Sequence, residues 1–250
     1  MIHRRTRWPA RLLAVIAAAG LAVSGCAGTQ TREKTSQQWY EEGVSLAGKK
    51  RYPEAVEAFR EASRTYRDAE LDAAIQLALA DAQFSAEEYA LAAEAYGEFL
   101  RLHPHNARSD YAQLRIGVSW SKQMGIAERS QGAAHSAVAA YEALLRGYPR
   151  SPLLAEARRG LEEARRRIAD HELSVGDFYS RRGAYRAAVG RFEIVLREYG
   201  DLGYAERALF ELVRCYDLLQ EPQRAGELLE RLRREYPQSP YLKQLDGRRG

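Results

Sequence analysis

From Ser36 onward, apolar residues recur at intervals of three and four, and no Val/Ile/Thr-rich alternating run interrupts them. That period puts apolar side chains on one face of a helix at every turn, so the chain is expected to be helical throughout, with no sheet. The pattern also repeats. Tyr52, Ala55, Phe59, Ala62 and Tyr66 recur 37 residues later as Tyr89, Ala92, Tyr96, Phe99 and His103, the last followed by Pro104. A third copy holds Ala137, Tyr141, Leu144 and Tyr148-Pro149, and a fourth holds Tyr185, Ala188, Phe192, Val195 and Tyr199-Gly200. A fifth holds Ala225, Leu229, Leu232 and Tyr236-Pro237. Ahead of these second helices, Gly43, Ala80, Gly117 and Gly176 share the small-residue position of the first helix. Trp39, Trp120, Tyr179 and Tyr216 supply bulky core partners there.

Two antiparallel helices approach closely where a small side chain faces a large one, and a single hairpin leaves an apolar face wet until the next is stacked on it. These spacings are those of the tetratricopeptide repeat. The fold expected is all-α: a superhelix of five helix-turn-helix repeats whose first helices line the concave side. Two intervals are stretched. Ser121–Ser136 inserts about eight residues between the helices of repeat three and reads as a protruding loop. Ser151–Arg182 has no strong breaker except Gly160 and reads as one long helix between repeats three and four, on the order of 45 Å. The array divides into an N-terminal half, 36–150, and a C-terminal half, 151–250.

The first 25 residues are different in kind. Arg4, Arg5, Arg7 and Arg11 precede an apolar stretch from Leu12 to Val23, and small residues lead up to Cys26. Residues 1–25 therefore read as a lipoprotein signal peptide, with Cys26 as the lipidated residue and 26–35 as a polar tether. An ordinary secretory leader that ends beside a cysteine is the alternative. Twelve apolar residues rise only about 18 Å as a helix, too little to span a bilayer. Covalent N-acyl and S-diacylglycerol chains on Cys26 would hold the chain to a membrane by burying many methylenes. Taking the leader's four arginines from the 38 basic residues leaves 34, level with the 34 acidic ones. The mature chain is thus neutral, and its charge does not point to nucleic acid. Only Cys215 then remains as a thiol, read as a small buried apolar residue with no disulfide to form.

Catalytic chemistry finds no foothold. The histidines are scattered, and no metal-binding His-Glu-x-x-His run, phosphate loop or nucleophile elbow occurs. A glycan-cleaving enzyme would need a further domain with a pocketed acid, and the thirteen residues after 237 are too few. The expectation is no enzyme, no cofactor and no metal. The arginine run Arg158, Arg159 and Arg165–Arg167 has Glu162 and Glu163 one turn before Arg166 and Arg167, which fits a solvated, ion-paired face better than an anion site.

RLHPHNARSDYAQLRIG (101–117), YEALLRGYPRSP (141–152) and FYSRRGAYRAAVGRFE (178–193), with the cysteine-ended leader, resemble the BamD family of lipoproteins in the outer-membrane β-barrel assembly (BAM) machinery. The resemblance covers nearly the whole mature chain. It departs from the family pattern at Asn106-Ala107, at Gly200 and in a short third-repeat loop. It implies an outer-membrane protein assembly factor, lipid-anchored at the periplasmic face of the cell outer membrane. It also implies docking on the last POTRA domain of a BamA-type barrel protein, association with other BAM lipoproteins, and receipt of unfolded outer-membrane proteins by the N-terminal repeats. A pilotin-like repeat lipoprotein escorting a secretin or pilus component is the alternative.

For the BamA contact, the resemblance singles out Arg191, beside Gly190. The copies within the chain agree, because the position held by Ala58, Ala95 and Ala140 becomes Arg191 in repeat four. A mid-helix glycine costs about 0.5–1 kcal/mol against alanine, so close approach by another backbone would explain Gly190. A solvated helix arginine is the plainer reading. For substrates, register puts Tyr40, Val44, Leu77, Phe84, Tyr111 and Leu114 on the inner face of repeats one to three, any of which would otherwise be core.

Overall fold

The structure is a computed structural model that describes residues 34–65, 69–124 and 131–249. The leader, the lipidation expected at Cys26 and most of the tether lie outside the described residues. Eleven α-helices and one 3-10 turn make up these residues, with no strand among them, and no described helix is long and apolar enough to cross a membrane. Thr35–Gly250 form one compact unit, so the two halves read from sequence are stretches of a single array.

The hairpins are α1 (Ser36–Gly48) with α2 (Tyr52–Thr65), α3 (Ala69–Ser85) with α4 (Tyr89–Leu102), and α5 (Ser109–Gln123) with α6 (Gln131–Gly147). The long helix α7 (Leu154–Arg181) then pairs with α8 (Tyr185–Tyr199), and α9 (Ala205–Leu218) with α10 (Pro222–Glu235). Each helix packs on its neighbours in the chain, and α1 meets α3, α5 meets α7 and α9 meets α11 (Pro240–Arg249). That succession is the staircase of a tetratricopeptide superhelix.

Local chemistry sets the ends. A capping box opens α1: the Gln38 amide N–H donates to Thr35 Oγ1, and the Thr35 N–H donates to Gln38 Oε1 at 2.9 Å. Four hairpin turns place one residue in the left-handed region, at Lys50, Glu87, Gly183 and Gln220. The same turn is therefore built four times, and only one copy uses the residue that adopts it without steric cost.

Ring-into-gap packing holds the hairpins together. Phe59, Tyr96, Tyr141 and Phe192 are all at most 3% exposed, and each such ring contributes roughly 1.5–3 kcal/mol by burial. A Cβ on Gly43, Gly117 or Gly176 would lie 2.5–2.6 Å from the facing ring of Phe59, Tyr141 or Phe192. In repeat five the pair is replaced by Val213 and Leu229 within one apolar cluster, a larger residue facing a smaller one.

Two expectations need correction. Gly160 is no helix breaker: it sits inside α7, where a Cβ would come within 2.4 Å of Tyr141 Cζ. Tyr141 is thus lodged between Gly117 of α5 and Gly160 of α7. The protruding loop read as Ser121–Ser136 is helical at both ends, because α5 runs to Gln123 and α6 starts at Gln131, with Met124 buried against the core; its middle, 125–130, lies outside the described residues. Beyond the fifth repeat the chain adds a helix with no counterpart in the sequence reading: α11 buries Leu245 and stacks Tyr241 on Phe210 with ring centroids 4.5 Å apart, covering the last hairpin.

Helix α7 has two jobs. Its first half buries Ala157, Ala164 and Ile168 in one cluster with Tyr141 and Leu144. Its second half buries Leu173 in the next, with Phe192 and Val195. One helix of about 42 Å therefore closes repeat three and opens repeat four. Cys215 lies fully buried and free in that second cluster, as expected of a small apolar residue.

Candidate functional site

The first helices leave one face uncovered by their own hairpin, and in repeats one to three that face holds a cavity of about 390 Å³. Leu77, Ala78 and Asp81 of α3 line it with Tyr40 of α1, Phe99 of α4, and Arg108 just before α5. Asp81 Oδ1 accepts from the Tyr96 hydroxyl at 2.5 Å and the Tyr111 hydroxyl at 2.8 Å. Arg115 Nε donates to the Tyr96 oxygen at 3.1 Å, and its guanidinium lies 3.5 Å from the Phe84 ring centre. Arg108 lies 4.5 Å over Tyr111. Burial, and then the Asp81 charge, push both phenols well above their ordinary value, so Tyr96 and Tyr111 remain neutral donors. The cavity is thus walled by Tyr40, Leu77 and Phe99 and edged by Asp81 and Arg108, with the arginine-covered rings of Phe84 and Tyr111 outside its lining, a mixture suited to an extended apolar chain with polar ends.

The residues expected on this face separate into three groups. Tyr40 and Leu77 line the cavity, although Leu77 is only 5% exposed and Tyr40 also packs on Phe59. Phe84 and Tyr111 are not in its lining: they lie beneath Arg115 and Arg108, of which only Arg108 lines the cavity, and Val44, 49% exposed, is also outside it. Leu114 is a correction. At 3% exposed it belongs to the Tyr141 cluster and offers nothing to a groove; one residue's rotation of about 100° gives that face to Arg115 instead. Asp81, Arg108 and Arg115 were missed because isolated charges on a helix read as solvated surface. Their signal was the i, i+3, i+7 spacing of Arg108, Tyr111 and Arg115.

On α8, Arg191 Nη1 donates to Glu172 Oε2 at 3.0 Å. The arginine side chain is 41% exposed and the glutamate 8%. Arg191 therefore compensates a buried carboxylate on α7 while showing its remaining donors to solvent. Gly190 beside it is exposed, and nothing lies within 4 Å of where its Cβ would be. The packing that demands glycine at Gly117 or Gly160 does not demand it here.

The arginine run is largely turned onto its own chain. Arg165 forks onto Asp201 at 2.8 and 2.9 Å and donates to the Glu198 carbonyl at 2.7 Å, and the guanidinium holds the Asp201 carboxyl below its ordinary value. Arg166 pairs with Glu162 and donates to the Leu202 carbonyl. Arg167 reaches the Met124 carbonyl, so of the two helix pairs expected only Glu162 with Arg166 forms. The turn between α8 and α9 is thereby pinned to α7 beside the Arg191 surface. No group of His, Cys, Asp and Glu among the described residues is arranged to hold a metal.

A family model described as "YfiO: Outer membrane lipoprotein" matches residues 32–228. The outer membrane protein assembly factor BamD of Caulobacter vibrioides is 28% identical, over 88% of this chain and 75% of its own length. That of Neisseria meningitidis serogroup B is also 28% identical, over 90% and 91%. The protein of the same name from Rickettsia prowazekii is 24% identical, over 92% and 93%. Among solved structures, the TPR2AB domain of yeast Sti1 in complex with pHSP90 covers 83% of this chain and 80% of its own, at 14% identity and a TM-score of 0.45.

Proposed function

The chain belongs to the YfiO family of outer membrane lipoproteins, and from that premise we propose that it is an outer-membrane protein assembly factor, a scaffold rather than an enzyme. The observation that carries this reading is the family match, which takes in the groove and the Arg191 surface alike. In finer detail, lipid on Cys26 tethers it at the periplasmic face of the outer membrane. The groove around Asp81, Phe84 and Tyr111 receives unfolded barrel proteins. Arg191 and Gly190 meet a BamA-type barrel protein through its last POTRA domain, and other BAM lipoproteins join the assembly. An exposed helix face with no side chain at Gly190, next to an arginine with donors to spare, suits close backbone approach and a carboxylate partner. The relatives are assembly factors, which sets aside the pilotin-like alternative.

The test is recovery of the BamA-type protein from membranes by affinity purification. Arg191→Gln should cut recovery about tenfold or more, as expected for loss of a charge-assisted pair, with the far-ultraviolet circular dichroism unchanged. Glutamine is preferred to glutamate because a second negative charge beside buried Glu172 would also destabilise the fold. Undiminished recovery removes Arg191 from the interface.

A further inference from the structure

A cavity of about 320 Å³ lies between α7 and α9, away from both the groove and the Arg191 surface. We propose that it is a separate binding site for a carboxylate carried on an extended, partly apolar segment of a protein partner. It depends on neither of the contacts proposed above.

The argument starts from charge. Arg207 donates to Asp177 Oδ2 at 2.7 Å, and Arg214 Nη1 to Glu211 Oε2 at 2.8 Å. Arg181, exposed at the rim, has no ion pair or hydrogen bond with the described residues. Arg181 and Arg214 line the cavity with Asp177 and Glu211, and Arg207 neutralises Asp177 from outside the lining, which leaves Arg181 without a counter-charge. Burial, with Asp177 nearby, pushes Glu211 above its ordinary value, which favours its neutral acid and adds to the positive excess. One surplus positive charge suits a carboxylate. A phosphate dianion would bring two charges to that single surplus one.

Hydrogen-bond donors are also to spare. Arg214 Nε is buried without a partner, and the Ser180 oxygen only accepts a weak bond from the Cys215 thiol at 4.0 Å. Buried donors are normally satisfied, so unused ones beside a polar cavity call for an acceptor.

The wall is not polar throughout. Leu218 is 51% exposed at the end of α9, and Tyr185 stands across from it at the start of α8. Phe178, 44% exposed with Arg182 resting 4.6 Å over its ring, follows Asp177 in α7 but is not part of the cavity lining. A lone leucine needs no explanation, but one that borders an arginine-rich cavity offers an apolar contact beside an acid. The volume is at the low end for ligand sites, about 300–1,000 Å³, enough for one acidic side chain with its backbone.

The test uses the full chain in detergent, with two fluorescein-labelled peptides, Gly-Leu-Asp-Leu-Gly and its Asn counterpart, read by fluorescence anisotropy. The Asp peptide should bind about tenfold tighter, the size of one charge-assisted hydrogen bond. Arg181→Gln should erase that difference. Leu218→Ser should weaken both peptides, and Arg158→Gln, on the far half of α7, should change nothing. Equal binding of the two peptides, or an Arg181→Gln variant that discriminates like the wild type, overturns the proposal. Displacement by succinate at the same concentration as the peptide would make this a site for free dicarboxylates and overturn the assignment to a protein segment. Arg181 is exposed and makes no ion pair or hydrogen bond with the described residues, so its variant should fold as the parent does, with an unchanged far-ultraviolet circular dichroism as the check.

Discussion

In repeats two and three the open face of the first helices carries rings with guanidinium groups laid on them, Arg115 on Phe84 and Arg108 on Tyr111, around one carboxylate held by two tyrosine hydroxyls. In repeats four and five the corresponding face carries ions that answer one another, Arg207 with Asp177 and Arg214 with Glu211. Both faces stand on hairpins locked by contacts at the same repeat positions, a ring in repeats two to four and Leu229 against Val213 in repeat five. Packing fixes the side of each helix turned toward its partner and leaves the other side free to vary, so one repeat can be copied while its open face changes from an aromatic slot to a charged one. The difference shows that the fold and the binding chemistry of this chain are written on opposite faces of the same helices.

The largest effect should come from the seam that joins the two regions. Tyr141→Ala removes the ring held between Gly117 and Gly160 and should cost about 3–5 kcal/mol, as buried aromatic truncations do. Urea unfolding followed by circular dichroism and by tryptophan fluorescence measures it. Gly160→Ala alone should cost roughly 1–3 kcal/mol by overpacking, yet become neutral or stabilising in the Tyr141→Ala background, where the alanine keeps its helix preference and meets no ring. Additive effects would mean that the ring is not what excludes a side chain at 160. Two separated transitions in the single variants would mean that the halves fold independently.

That seam also marks what a sequence does and does not disclose. The four ring positions and the small residues facing them were legible because they obey one period, and so was the double length of α7. Gly160 was read as a possible break because a helical glycine looks the same whether it ends a helix or admits a neighbour's ring. The ends of α5 and α6 were read as loop because SKQ and QG lack apolar spacing, although their backbone simply continues the turns before and after. Helix α11 was missed because ten mostly polar residues with three apolar anchors carry too little periodicity. At the candidate sites, register put Tyr40, Phe84 and Tyr111 on the inner face, and of these Tyr40 lines the cavity. Arg191 stood out by the resemblance and as an oddity among copies, but its bond to Glu172 joins two helices and has no local signature.

A smaller effect should separate the two open faces directly. With a photocrosslinkable peptide ending in alternating residues and a terminal phenylalanine, Phe84→Ala combined with Tyr111→Ala should lower the crosslinked fraction about tenfold, the equivalent of one or two ring contacts. Arg214→Gln should leave that fraction unchanged. The proposed groove would be discarded if the ring variant crosslinks like the parent. The contrast between the faces would dissolve if both variants lose the peptide equally, because the peptide would then be reading the array as a whole.

The smallest effect concerns the charged face alone and has a definite sign. Burial raises the Glu211 carboxyl above its ordinary value, with Asp177 adding in the same direction and Arg214 and Arg207 opposing. The folded chain therefore holds this proton at a pH where the unfolded chain has released it, and ionising Glu211 costs the folded state. The stability associated with the group is fully present below the ordinary carboxylate value and is lost as pH rises through the raised one. Glu211→Gln removes that loss while keeping an acceptor for Arg214. Its Tm should exceed the parent's at pH 7, by no more than the roughly 1 kcal/mol of one hydrogen bond, and the gain should vanish at and below about pH 4, where the unfolded carboxyl is itself protonated. A Tm gain that is the same at both pH values would place the effect in packing. A loss at pH 7 would show that the Arg214 pair outweighs the burial of its partner, making the charged face of repeats four and five a stabilising network in the resting chain.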